Sequence, residues 1–218
     1  LDFVFSSTCA TYGDQDGVLL TEDTPQRPIN AYGGSKLAIE AMVRDFGAAH
    51  GIAHVIFRYF NVAGADPEGE TGEQHTPETH LIPLMLDAVA GKRPGLTVFG
   101  TDYPTPDGTC VRDYVHVTDL AQAHVLGLQR LLAGKGNGVY CLGTGRGFSV
   151  QEVIEASRMV TNRAVPVVIG DRRPGDAAAL VSSSQLAVQD LGWEPQHSTL
   201  RQMIGDAWAW AQKPGFAE

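Results

Sequence analysis

The feature that most constrains this chain is a strand, a helix and a second strand laid end to end near its start. Phe3-Val-Phe5 is a short apolar run that ends in the hydroxyl cluster Ser6-Ser-Thr8. A loop rich in Gly, Asp and Pro reaches to about Asn30, after which Ile39, Met42, Val43 and Phe46 recur at i, i+3, i+4 and i+7, one face of a helix. Val55 to Phe60 then reads as a strand. Two strands separated by a helix cannot close as a hairpin, so the crossover sets them parallel. The fold class is therefore α/β with a parallel sheet.

The rest of the chain keeps this rhythm with one interruption. From Asn61 to about Asp113 it turns rich in Gly, Pro and Glu, with one helix (Leu81 to Ala90) and one strand (Leu96 to Phe99), which suits a smaller ligand-binding lobe. Arg112 to Val117 reads as a strand and Thr118 to Leu132 as a helix with Ala121, Val125, Leu128 and Leu132 in register. Val139 to Leu142 is a further strand, and helices follow at about 149–161 and 199–212. The net charge of -9 opposes a general phosphate-backbone binder, so no nucleic-acid partner is expected. Cys9, Cys110 and Cys141 are odd in number and far apart, which suggests neither disulfides nor zinc-binding cysteines and favours a cytoplasmic setting. No apolar run reaches a membrane span. The chain opens inside what reads as a buried strand, so further strands and helices are expected to precede it.

Two patterns invite readings that their spacing does not support. Gly143-Thr-Gly145-Arg-Gly147 follows a strand, but a GxGxxG fingerprint needs its third glycine where Phe148 stands. Ser149-x-x-Glu152 instead makes a capping box, with the glycines forming the turn before it. Glu73, His75, Glu78 and His80 carry metal-ligand types, yet neither HxxxH nor HExxH spacing is present, so no metal is expected.

The sharpest chemical signal is Tyr32-Gly-Gly-Ser-Lys36. A helix sets residues i and i+4 side by side, here a phenol and an ammonium. Phenols titrate near 10, and moving one to neutrality takes roughly 4 kcal/mol of preferential stabilisation of the phenolate, for which a nearby cation is one source. Alone, YxxxK reads as a half-buried Tyr beside a solvated Lys. Its context is stronger: Gly33 and Gly34 are each unfavourable inside a helix by about 1 kcal/mol, which suggests that something packs tightly there. A parallel sheet would also bring Ser6-Ser7-Thr8 beside the helix start.

Together the segments Phe5-Ser-Ser-Thr-Cys-Ala-Thr-Tyr-Gly13, Tyr32-Gly-Gly-Ser-Lys36, Arg58-Tyr-Phe-Asn61, Asp113-Tyr-Val-His-Val117 and Arg172-Arg-Pro-Gly-Asp176 resemble, in order and spacing, the bacterial UDP-glucose 4-epimerases, NAD-dependent enzymes of the extended short-chain dehydrogenase/reductase family. The resemblance covers essentially the whole chain. It implies a Rossmann-like parallel sheet with a smaller C-terminal substrate-binding domain. Residues 1–62 and about 113–147 would be the C-terminal part of the NAD-binding domain, and about 63–112 and 148–218 the UDP-sugar domain.

By the same resemblance, Tyr32 would take the proton of the sugar 4-hydroxyl as hydride leaves C4 for NAD. Lys36 would hold the nicotinamide ribose and favour the phenolate, Thr8 would hydrogen-bond near the 4-hydroxyl, and Phe60 would border the nicotinamide. Asn61, His80, Leu81, Thr97, Val98 and Phe99 would contact the sugar nucleotide. Arg112 and Arg173 would neutralise the diphosphate, Asp176 would accept from the uridine ribose, and Leu180 would gate the sugar pocket. Without that context the Arg172-Arg173 pair reads as a solvated surface, and Asp113 and Asp119 as turn and cap residues. A homodimer is implied, packed through the Tyr32 helix and the helix near 81–90. Leu180 leaves open whether the sugar carries an N-acetyl group, and a UDP-xylose 4-epimerase would use the same machinery. A dehydratase is disfavoured because Cys9 and Ala10 stand where its acidic pair would follow the threonine. A non-catalytic nucleotide-sugar-binding protein is disfavoured by the intact Thr8, Tyr32 and Lys36. The 218-residue chain alone is expected neither to retain NAD nor to turn over UDP-galactose, since no segment supplies the pyrophosphate-binding turn.

Overall fold

The computed structural model describes residues 1–15, 17–173 and 175–213 of the chain. In chain order it runs β1 (Asp2–Ser6), a 3-10 turn (Cys9–Tyr12), α1 (Ala31–His50), β2 (Ala53–Tyr59), β3 (Asn61–Ala63), α2 (Leu81–Val89), β4 (Leu96–Phe99) and β5 (Val111–His116). There follow α3 (Val117–Leu132), β6 (Gly138–Leu142), β7 (Gly147–Ser149), α4 (Val150–Thr161), β8 (Val167–Gly170), β9 (Ala179–Leu180), α5 (Gln185–Leu191) and α6 (Leu200–Ala211).

The strand-helix-strand opening is parallel, with Asp2 opposite Ala53 and Ser6 opposite Phe57. β6 joins the other edge of β2, also parallel, giving the order β1-β2-β6. β2 is central and buried on both faces from His54 to Arg58, which is why it reads as a continuous Val-Ile-Phe run. A second sheet orders β3-β5-β7, with β9 also on β5, and β4 pairs β8 in parallel. The sequence did not mark β3, β7, β8, β9 or α5, all of them seven residues or fewer. The Gly143–Gly147 segment is a turn, with Gly145 at φ 69°, leading into β7 and then the Ser149 capping box of α4.

Two cores form. Val55, Phe57, Leu120, Tyr140, Leu142 and Trp193 pack around the β1-β2-β6 sheet. Ile82, Met85, Leu86, Ile154, Met203 and Ile204 join α2, α4 and α6. Ala187 and Trp193 belong to the first core, although they fall in the 148–218 stretch expected with the second. Two periodic apolar stripes point outward. On α1 the periodic stripe points outward: Met42 and Phe46 are each 59% exposed, while Gly33, Glu40 and Gly47 face inward. On α3, Val125, Leu128 and Leu132 are exposed, and Leu120, Ala123, Gly127 and Leu131 are buried. Small residues explain the choice, because they let the helix approach the sheet: a Cβ on Gly127 would meet the Phe57 ring at 2.8 Å. α2 buries Ile82, Met85, Leu86 and Val89 within its own chain and leaves Leu81, Pro83 and Leu84 only partly buried. Among the described residues no helix is long and apolar enough to cross a membrane.

Candidate active site

A cleft of about 710 Å³ opens just past the carboxyl ends of β1 and β2, where open α/β sheets place their ligands. Thr8, Tyr32, Phe60, Asn61, His80, Arg112 and Leu180 all line it. Seven side chains or backbones from widely separated stretches therefore converge on one space.

Thr8 is held rather than free. It caps the 3-10 turn, its Oγ1 accepting from the Ala10 amide at 3.1 Å and donating to the Tyr59 carbonyl at 3.4 Å. Tyr32 lies in the first turn of α1, which the Asn30 side chain caps by accepting from the Gly33 amide at 2.8 Å. Lys36, one turn on, donates from Nζ to the Ser6 carbonyl at 2.9 Å. Its ammonium lies 6.0 Å from the centre of the Tyr32 ring and 5.1 Å from that of Phe5. It sits behind the phenol, off the cleft wall.

The two glycines of this motif have different surroundings. A Cβ on Gly33 would press into the Ala10 carbonyl, 2.9 Å from its carbon, and so against the turn that carries Thr8. One on Gly34 would meet nothing within 4 Å. Gly33→Ala is accordingly expected to lower stability by about 1 kcal/mol or more, whereas Gly34→Ala should keep or raise it, since Ala gains about 1 kcal/mol over Gly in a helix. Thermal unfolding of both variants checks this, and equal losses would contradict the crowding at Gly33.

Behind the site lies a buried ionic network that the sequence did not announce. Glu40, with no exposed surface, accepts from Ser7 Oγ at 2.5 Å, from Arg58 Nε at 3.0 Å and from Arg58 Nη2 at 2.6 Å. Arg58 also donates to the Tyr12 hydroxyl at 2.8 Å. Burial opposes ionisation of Glu40, but the hydrogen bonds from Arg58 and Ser7 outweigh it and hold the carboxyl below its usual range. The network ties α1 to β2 and to the strand end just before Thr8. Its one sequence signal is the seven-residue spacing of Gly33, Glu40 and Gly47 on a single helix face.

The remaining candidates, Arg173, Asp176, Thr97, Val98, Phe99 and Leu81, do not line this cleft. Asp176 accepts from Arg173 Nε at 2.8 Å and lies 3.7 Å from Arg112 Nη2, while the Arg173 guanidinium covers the Phe99 ring at 4.8 Å. Arg112 is thus shared between this group and the cleft. β5 and β9 set Arg112 directly opposite Leu180. Thr97 is partly buried on β4, Val98 is buried in the second core, and Leu81 packs against that core. Neither Asp113 nor Asp119 is a free surface group. Asp113 accepts from Thr144 N and Oγ1 and from Ser182 N; burial raises its pKa against those bonds. Asp119 accepts from the amides of Gln196 and His197 instead of capping α3.

Glu73, His75, Glu78 and His80 lie in the loop before α2, where helical ligand spacings do not apply. One ligand atom from each lies within 4.8 Å of all the others. The spacing argument against a metal therefore has no force at this place.

The family model for the NAD dependent epimerase/dehydratase family matches residues 1–143. The chain is 52% identical over 207 residues to the UDP-glucose 4-epimerase of Azospirillum brasilense, covering 95% of this chain and 60% of that one. The Brucella ovis UDP-glucose 4-epimerase in complex with NAD is 48% identical with a TM-score of 0.92, over 95% of this chain and 64% of that one. The Bifidobacterium longum UDP-glucose 4-epimerase in complex with NAD+ and UDP is 37% identical with a TM-score of 0.91, over 100% of this chain and 65% of that one. The chain spans about 60% of the length of the curated relative it matches. The Rossmann-like parallel sheet expected from the sequence is present. With the family model extending across well over half of its residues, the chain belongs to the NAD dependent epimerase/dehydratase family.

Proposed function

We propose that the protein is a UDP-glucose 4-epimerase, interconverting UDP-galactose and UDP-glucose through a 4-keto sugar. The observation that carries this reading is the convergence of Thr8, Tyr32, Arg112 and Leu180 on one cleft with Lys36 behind the phenol. The residues present fit NAD: an exposed phenol, an ammonium beside it and the Phe60 ring are the donor set and apolar border that a nicotinamide ribose and ring require. NAD, when bound, supplies a reversible hydride acceptor for C4 of the sugar.

In this reading the chain's residues manage the proton and the substrate. Tyr32 removes the proton from the 4-hydroxyl and returns it after the keto sugar has presented its other face. Lys36 stabilises the phenolate, and Thr8, its oxygen held by the Ala10 amide, turns its one hydroxyl hydrogen from the Tyr59 carbonyl toward the same oxygen. Arg112 and Arg173 grip the diphosphate, with Asp176 between them. Asn61, His80 and Leu180 line the cleft on the side proposed for the sugar nucleotide, and Leu81, Thr97, Val98 and Phe99, outside its wall, are proposed to meet the nucleotide.

Residues 1–62 and 113–147 are proposed as the NAD-holding part, and 63–112 and 148–218 as the sugar-nucleotide part. A cytoplasmic homodimer is proposed as well, with the outward stripe of Ile39, Met42 and Phe46 on α1 as its contact. The protein as encoded in its gene should convert UDP-galactose to UDP-glucose with no added reductant and no net NADH. Failure to turn over UDP-galactose, UDP-N-acetylgalactosamine or UDP-xylose would overturn the epimerase reading, and the preferred sugar of the three fixes the class.

A further inference from the structure

We propose that Glu73, His75, Glu78 and His80 form a four-coordinate zinc site on the wall of the cleft. The geometry goes beyond ordinary ion pairing. His75 Nδ1 lies 3.1 Å from Glu73 Oε1 and 3.5 Å from Glu78 Oε2. His80 Nδ1 lies 2.7 Å from the same Glu73 oxygen and 3.1 Å from Glu78 Oε1. Each Nδ1 can carry one hydrogen, so two hydrogens face four close nitrogen–oxygen approaches. A cation among them, taking the two Nδ1 atoms, Glu73 Oε1 and one oxygen of Glu78, removes the shortage. Tetrahedral zinc with bonds of about 2.0–2.1 Å separates its ligand atoms by about 3.3 Å, and the four approaches bracket that value.

The surroundings hold the ligands in place, as outer partners of metal sites do. Glu78 Oε1 accepts from the amides of Thr79 and His80 at 2.6 and 2.7 Å, which fixes its carboxylate. The Glu73 carbonyl accepts from Trp210 Nε1 at 3.1 Å, and Gly72 leaves room for that indole, where any Cβ would collide. The loop is thereby pinned to α6 on one side and to the start of α2 on the other. Both histidine side chains are about half exposed, so a metal ion can reach them from solvent. Two imidazoles with two carboxylates suit zinc better than calcium or magnesium, which take oxygen ligands. With four protein ligands the site is closed, and its role is to brace residues 73–80 beside the cleft and not to activate water.

The test uses the protein as encoded, expressed without a histidine tag, incubated with zinc and then dialysed into metal-free buffer. Mass spectrometry of the metal should find about one zinc per chain. The pair His75→Ala with Glu78→Ala should reduce it to background. Cobalt(II) in place of zinc should give the visible absorption of a tetrahedral site. Zinc-free parent protein with no cobalt spectrum overturns the proposal, as does equal zinc in parent and double variant. Should the double variant fail to fold, the parent stripped with dipicolinate and titrated with zinc decides: a melting temperature that does not rise overturns it. Metal content is read independently of turnover, so this result stands apart from the fate of the epimerase reading.

Discussion

Tyr32→Phe is expected to lower epimerase turnover by about 10² or more while leaving the melting temperature within a degree or two of the parent. A positioned acid/base contributes about 10²–10⁴ in rate, and removing its hydroxyl removes that contribution whole. The structure indicates why folding should be spared. Tyr32 is 57% exposed, and the first turn of α1 is held by the Asn30 cap and by Gly33 against Ala10, with no part played by the phenol. Steady-state rates and thermal unfolding on the same preparation check both halves. Turnover like that of the parent would remove Tyr32 from the mechanism.

Glu40→Ala should have the opposite profile, with a large loss of stability. Its carboxylate has no exposed surface and the Arg58 side chain is only 4% exposed, so truncation strands a buried guanidinium. Breaking such a pair costs about 3–5 kcal/mol, against the 5–15 kcal/mol that holds a typical domain together. pH adds a signed test. Because the folded carboxyl titrates below its usual range, its contribution is complete above the unfolded value of about 4.3 and is lost as pH falls through the lower folded value. Urea unfolding at neutral and acid pH should therefore show the difference between parent and Glu40→Ala shrinking toward low pH. A loss under about 1 kcal/mol at neutrality would show that the network relaxes.

What could be read in advance, and what could not, follows from which signals survive without a third dimension. Tyr32 and Lys36 were legible because helical geometry alone sets i beside i+4. The parallel opening was legible because a helix between two strands leaves few other arrangements. The buried faces of α1 and α3 were not. Periodicity finds apolar stripes, but Gly33, Gly47, Ala123 and Gly127 add almost nothing to an apolar count, and close approach depends on them. Glu40 was invisible for a related reason: a glutamate in a helix reads as solvated until Arg58, on another strand, is seen above it. The Glu73–His80 cluster escaped because ligand spacings learned from helices do not transfer to a folded loop.

The pairing of Arg112 with Leu180 has a consequence for how this cleft can change. Partners across two neighbouring strands project to the same face of the sheet and lie roughly 5 Å apart. The residue proposed to measure the sugar and the one proposed to grip its diphosphate are thus rungs of one ladder. Leu180 rides on a two-residue strand bonded to β5, so a bulkier side chain there is expected to crowd the Arg112 side chain on the neighbouring rung. Widening the repertoire of sugars and tightening the hold on the nucleotide then become a single trade, made at one position and felt at the other.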